Sequence, residues 1–555
     1  VGFISRSLFL LFALYGMVFV IGDAYLLHGN APVWWGIAFV LGIIGLQYLI
    51  GPWVIETLYR INWYEEDIPQ AHRSFVERTC REQNLPNLKF GIIESGTPNA
   101  FAFGRLQGDA RIVVTRGLLD ILTEDEVNAV LAHEIGHVAH YDFAVMAIAA
   151  VAPMLLYQIY AWTNRISHLR PLAYSAYGAY WVGRFLVLML NRIREYGADH
   201  FSAQTTRTPN ALCTALVKVA YGRVLEASNA KQPAKKKISS GDKAAARKSA
   251  ELGRTLALMG IMSASGSTAL ALTTTPEQAA RVMRWDLVNP WARFYELGST
   301  HPLPALRLRA LNREAEALGQ GVAYPLPTDA RVRWGDFPLE FVFWAGPIVC
   351  GFLFVSAGWL GPELRHWGIV LPYYFKQWTL IALGVTWAER IVFRYQGKFQ
   401  RARVDELIED LGVSQMQPRA VEIEGEVVGE GVPGAFWSPD LVMRDETGMM
   451  FLLYRSSIPL GRLFFAIGDA HRYIGERVTV KGWYRRGLKP YIEISRIEAR
   501  VSKLSGESFV SIFGKEGSTQ PLEYEDIAEQ SYSRWIQLAA SAACAAIGIL
   551  WLIKG

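Results

Sequence analysis

The sequence predicts a mainly α-helical integral membrane protein, in which a helical domain holds a small β-sheet and is followed by a C-terminal all-β barrel, OB type among its candidates. Three observations predict it. Several apolar runs are long enough to cross a bilayer. A His-Glu-x-x-His segment, His133 to His137, sits in a strongly signalled helix. From Arg419 to Val501 the chain alternates in strand fashion.

Of the 555 residues 51% are apolar, and the mean hydropathy is +0.15. The excess is concentrated in runs at 7 to 27, 34 to 55, 143 to 161, 177 to 191, 339 to 360, 368 to 393 and 534 to 553. The first is too long for a cleaved signal and has no small-residue cleavage site after it. Arg184 interrupts the fourth run, and Lys376, Glu389 and Arg390 interrupt the sixth. The expected domains are two transmembrane helices in 1–56, a catalytic domain in 57–335, two transmembrane helices in 336–395, a cytosolic β domain in 400–530 and a last transmembrane helix in 534–553.

Arg6 precedes the first run, the loop from His28 to Pro32 lacks Lys and Arg, and Arg60, Arg73, Arg78 and Arg81 follow the second run. The positive-inside rule therefore puts the first run's amino end and the catalytic domain in the cytoplasm of a multi-pass plasma or inner membrane protein. Two apolar runs separate His137 from Glu195, so if both residues meet one ion, both runs cross or neither does. Arg165 and Arg170 between them keep a re-entrant pair open.

Thr123-Glu124-Asp125-Glu126 is a capping box, and Val127, Val130, Leu131, Ile135 and Val138 supply an apolar stripe. A helix is expected from Glu124 to about Tyr141. On it His133 and His137, four apart, aim ring nitrogens at one metal ion. Glu134 beside them is the general base, able to take a proton from water and pass it to a leaving amine. A catalytic zinc wants a third protein ligand and an open position. His140 lies too near for the six-residue spacing of a third histidine. Glu195 and Asp199, four apart on a helix, are better candidates: Glu195 as ligand, Asp199 as the carboxylate that fixes a histidine tautomer. On spacing alone a solvated Arg-Glu-Asp helix face competes with that reading.

Residues from about 60 to 315 resemble the membrane zinc metallopeptidases that include the heat-shock protease HtpX and the CAAX prenyl endopeptidase. Five segments carry the resemblance in order: Asn99 to Gly104, Val113 to Leu119, Leu131 to His137, Arg192 to Asp199, and Ser299-Thr300-His301-Pro302 with Arg307. The resemblance implies a gluzincin-like site with one Zn²⁺ per chain, held by His133, His137 and Glu195, with Asp199 behind the ligands. It also implies that His301 and Arg307 orient substrate and stabilise an oxyanion. Pro304, Ala305 and Leu306 replace the acidic residues usual between those two, and Arg309 is an alternative to Arg307.

Thr97 to Gly104 reads as a strand, which in relatives is the edge beside the zinc. Asn99, Ala100, Phe101, Ala102 and Phe103 are thus candidate substrate-binding residues, adding the substrate as a strand through main-chain bonds. The plainer reading is an ordinary covered strand.

Lys231, Lys235, Lys236, Lys237, Lys243, Arg247 and Lys248 stud the stretch from Ser228 to Ser249, read as a flexible linker or lipid-headgroup contact. Nucleic acid is not an expected partner: the net charge is +5, and no aromatics interleave the basic run. Cys80, Cys213, Cys350 and Cys544 show no paired spacing, which fits a reducing compartment.

The expected function is a zinc endopeptidase that cleaves membrane or misfolded proteins at the cytoplasmic face, a quality-control role. The expected partners are peptide substrates, the bilayer, and a protein bound by the β domain. Two alternatives remain: a CAAX-type prenyl-peptide protease, and a non-catalytic scaffold with a structural zinc.

Overall fold

A computed structural model describes residues 33–59, 61–63, 68–96, 98–166, 169–229, 276–327, 330–366, 370–430, 440–455, 473–487, 490–499 and 529–554. The apolar run at 7 to 27 lies outside them, as does the basic stretch beyond Asn229. The chain divides into two compact units: 1–271 with 275–286 and 293–329, and 272–274 with 287–292 and 330–555.

In the first unit, α1 (Val33–Tyr59) and α2 (Gln70–Glu82) precede three strands, β1 (Lys89–Ile93), β2 (Ala100–Phe103) and β3 (Arg111–Thr115). The sheet order is β1-β3-β2, with β1 parallel and β2 antiparallel to β3. The β-branched run Ile112-Val113-Val114 is fully buried at its centre, as a strand covered on both faces requires. Asn62 bridges to Ile92 on the outer side of β1, so β2 is the strand left terminal among the described residues.

Thr115 caps α3 (Arg116–Ile121) through its side chain. The helix α4 (Glu124–Ala139) follows with its capping box in place, Thr123 N–H donating to Glu126 Oε2 at 2.8 Å. It stops two residues before the expected end because Tyr141 takes a left-handed conformation, φ 57° and ψ 31°. Two long helices then form a hairpin, α5 (Asp142–Thr163) and α6 (Arg170–Thr206). At 37 residues and 1.5 Å per residue, α6 runs about 55 Å, enough to carry both the apolar run at 177 to 191 and, beyond it, Glu195 and Asp199. Beyond it come α7 (Pro209–Asn229), α8 (Pro276–Val288), α9 (Pro290–Leu297) and α10 (Pro304–Ala317), the last started by Pro304 at its first position.

The second unit holds α11 (Phe337–His366), α12 (Phe375–Arg394) and α14 (Glu529–Ile553), together with β4 (Gln400–Arg401), α13 (Val404–Glu409) and strands β5 (Arg419–Glu430), β6 (Asp440–Arg444), β7 (Met449–Leu453), β8 (Arg477–Arg486) and β9 (Pro490–Ala499). Small residues seat α12 against α14: a Cβ at Gly384 would stand 2.5 Å from the Ser541 carbonyl oxygen. Among the described residues the six-stranded sheet has the order β4-β5-β6-β7-β9-β8, and β5 also pairs β8 to close a barrel; β4–β5 and β7–β9 run parallel and the other pairs antiparallel. On β9, Glu493 is fully buried against the end of α12, with its carboxylate 2.8 Å from Arg485 and 2.6 Å from the Tyr395 hydroxyl.

Among the described residues three helices are long and apolar enough to cross a membrane: Asp142–Thr163, Phe337–Gly358 and Arg534–Ile553. Their outward faces are bare of polar cover, Ile148 being 73% exposed and Val355 likewise 73%. Neither α12 nor the apolar half of α6 is among the three, and charges interrupt both.

Candidate active site

The site forms where α4 crosses α6. A Cβ on Gly136 would lie 3.1 Å from Ala198 Cα and 3.1 Å from Phe201 Cβ, so the missing side chain lets the two backbones approach. That approach sets Glu195 opposite the histidines. His133 Nε2 lies 3.8 Å from Glu195 Oε2, and His137 Nε2 lies 3.8 Å from Glu195 Oε1. One donor atom from each residue falls within 4.8 Å of the others. His133 is fully buried, yet its Nε2 has no hydrogen-bond partner among the described residues. Orphaned buried polar atoms are costly. Two imidazoles and a carboxylate converging at these distances fit a zinc ion and leave it an open position. Glu134, on the same helix and also buried, lies next to His133 in the chain.

Each histidine has a carboxylate at its other nitrogen. His133 Nδ1 is 3.0 Å from Asp199 Oδ1, and His137 Nδ1 is 2.5 Å from Asp142 Oδ2. Each carboxylate has an arginine behind it. Arg307 meets Asp199 through Nε and Nη2, and Arg194 Nε lies 2.9 Å from Asp142 Oδ1. This geometry directs both Nε2 atoms toward Glu195. Burial alone would push the Glu195 carboxyl up, but His301, Arg307 and His137 outweigh it and hold the group well below the usual carboxylate range. Burial likewise opposes ionisation of Asp199, and Arg307 with His133 overcomes it.

His301 reaches the same carboxylate, with Nδ1 3.3 Å from Glu195 Oε1. Its loop is held by α6: Asn191 Nδ2 donates to the Thr300 carbonyl at 2.7 Å, and Arg192 Nη1 donates to the carbonyls of Glu296 at 2.7 Å and Ser299 at 3.0 Å.

The expectation that Arg307 meets substrate needs correction. Its side chain is 1% exposed, and its three guanidinium nitrogens face Asp199 and Glu195, Nη1 lying 3.2 Å from Glu195 Oε2. A guanidinium walled in by two carboxylates is not placed to reach a substrate oxygen. Arg309 is half-buried near Arg293 and Arg313.

On β2, Phe101 and Phe103 pack into a core cluster with Tyr59, Ile61, Ile93 and Val113, and Asn99 and Ala100 are fully buried. Only the main chain of this strand is disposed to meet another segment. Since Thr115 N–H donates to the Asn99 carbonyl, alternation turns the backbone groups of Ala100 and Ala102 away from β3.

Sequence reasoning missed Asp142. A residue five beyond His137 does not share its helix face, and only the left-handed turn at Tyr141 folds Asp142 back. The available signal was a carboxylate just past the motif.

The model of Peptidase family M48 matches residues 69–315. The Protease HtpX homolog of Methanothermobacter thermautotrophicus is 37% identical over 214 residues, 38% of this chain and 81% of that protein. The chain belongs to peptidase family M48. Protease HtpX homologs of Aeropyrum pernix (34% identical, 33% of this chain and 63% of that protein) and Methanosarcina acetivorans (homolog 2, 33% identical, 39% and 78%) match similarly. The crystal structure of S. mikatae Ste24p matches at a TM-score of 0.34 and 17% identity, covering 56% of this chain and 65% of that one. As an M48 member the chain is a peptidase of a metalloprotease family with apolar, membrane-length helices. The matched family segment ends at residue 315, so the barrel lies beyond it.

Proposed function

We propose that the chain is a membrane-embedded zinc endopeptidase that cleaves membrane or misfolded proteins at the cytoplasmic face. One observation carries the reading: His133, His137 and Glu195 bring donor atoms within 4.8 Å of one another, and the buried His133 Nε2 among them has no hydrogen-bond partner among the described residues. These three residues would hold the ion. When bound, zinc supplies Lewis acidity, drawing electron density from the oxygen of a scissile carbonyl or of the attacking water. Glu134 takes the proton of that water and delivers it to the departing amine. His301 donates to the developing oxyanion, while Asp199, braced by Arg307, keeps His133 in the tautomer that exposes Nε2. The terminal strand β2 receives the substrate backbone through the outward groups of Ala100 and Ala102.

The arginines after the second apolar run support the cytoplasmic orientation, and HtpX-named relatives support proteins as substrates. The strand order of the barrel supports an OB-type reading, and its place beyond the family segment supports a role in holding a protein partner.

The test is hydrolysis of casein and of a quenched peptide by purified full chain in detergent, with and without chelator. Cleavage that a chelator stops and zinc restores is expected. Cleavage indifferent to chelator, or none from zinc-loaded protein, removes the reading.

A further inference from the structure

We infer that Asp142, braced by Arg194, is the positioning residue for His137, and that the same network ties this histidine to the loop presenting His301. The inference rests on the metal-site reading above.

The chain leaves α4 at His140, turns through Tyr141 in the left-handed region, and starts α5 with Asp142. Left-handed backbone is unfavourable for a tyrosine, whose Cβ crowds the following carbonyl oxygen. Here it returns the Asp142 carboxylate to His137 Nδ1 at 2.5 Å. Asp142 is 2% exposed, so its charge needs partners inside the protein. It has two: the imidazole at one oxygen, and Arg194 Nε at 2.9 Å from the other. With the Nδ1 proton given to this carboxylate, the lone pair of Nε2 is left to face Glu195.

The network continues. Arg194 Nη1 donates to Asn191 Oδ1 at 2.9 Å, and Asn191 Nδ2 donates to the Thr300 carbonyl at 2.7 Å, one residue before His301. Asn191, Arg194 and Glu195 all lie on α6. A histidine that binds the ion and a histidine aimed at substrate are thereby set by one continuous chain of polar contacts. Asp142 begins a helix of membrane-crossing length, so a tilt of that helix moves the group that orients His137.

The test uses full-length protein in detergent and reads zinc affinity by chelator competition and the visible spectrum of the cobalt-loaded form. Asp142→Ala is expected to lower zinc affinity about 10- to 100-fold, the usual effect of losing such a partner, and to shift the cobalt bands while the metal-free protein keeps its helicity. Asp142→Asn keeps the shape without the charge and is expected to move both readouts in the same direction by less; it decides the matter if the alanine variant does not fold. Wild-type affinity and cobalt spectrum in a folded variant overturn the inference. Asn191→Ala is expected to hold wild-type zinc affinity while kcat/KM falls, and an unchanged kcat/KM removes the link to His301. Wild-type protein whose zinc binding does not depend on His133 would instead sink the metal-site reading, a separate outcome.

Discussion

Arg307 grips Asp199 with two nitrogens, Nε to Oδ2 at 2.8 Å and Nη2 to Oδ1 at 2.5 Å, behind a surface that exposes 1% of its side chain. Its third nitrogen faces Glu195. The pair is therefore part of the frame of the site, two helices joined through buried opposite charges.

Removing that arginine leaves two buried carboxylates without their cation. Breaking a buried pair by deleting one partner costs about 3–5 kcal/mol. Arg307→Ala is expected to lose stability on that scale in denaturant unfolding of the metal-free protein. A loss under about 1 kcal/mol would show that water or rearrangement takes over the role of the guanidinium.

Glu134 lies between the two histidines on α4. Glu134→Gln keeps the volume and removes the base, so proteolysis should fall by at least about 10²-fold, the lower end of general-base contributions. Metal content, measured by mass spectrometry of the native protein, should stay at the wild-type level. Full activity in the zinc-loaded variant rules out the assigned role.

The N–H of Ala102 on β2 faces away from β3, on the side where the proposed substrate strand would add. Ala102→Pro deletes that donor at a sheet edge, where proline is tolerated. Peptide KM should rise while the thermal midpoint holds. An unchanged KM in a folded variant argues that substrate binds elsewhere.

In the barrel, burial would raise the Glu493 carboxyl, but Arg485, Arg394 and Arg455 bring it down from 4.5 to about 2. A depressed folded value means stability that is complete above the unfolded pKa and drains as pH falls through the folded one. The window is therefore about pH 4.5 down to 2, and the span corresponds to about 3 kcal/mol. Wild type should exceed Glu493→Gln in unfolding midpoint at pH 7, and the difference should shrink through that window. A difference that does not change with pH would exclude the linkage.

Much of the α4 region is legible in its own residues. Its capping box, apolar stripe and four-residue histidine spacing act within a turn or two, so the residues encode them locally. The apolar runs were legible for a similar reason: α5 and parts of α11 and α14 have the length and hydropathy that a bilayer demands. The family was readable too, because its five segments stand in order along the chain.

Other features depend on contacts between residues far apart in sequence. Glu195 comes to the histidines only because the α5–α6 hairpin returns the chain and Gly136 lets α6 approach. Asp142 reaches His137 through one backbone reversal at Tyr141, a residue whose side chain gives no hint of a left-handed turn. Arg307 is drawn inward by two carboxylates about a hundred positions away, which no local pattern records. Periodicity and capping are short-range and travel with the residues; the pairing of buried charges is decided by which surfaces meet when the helices pack.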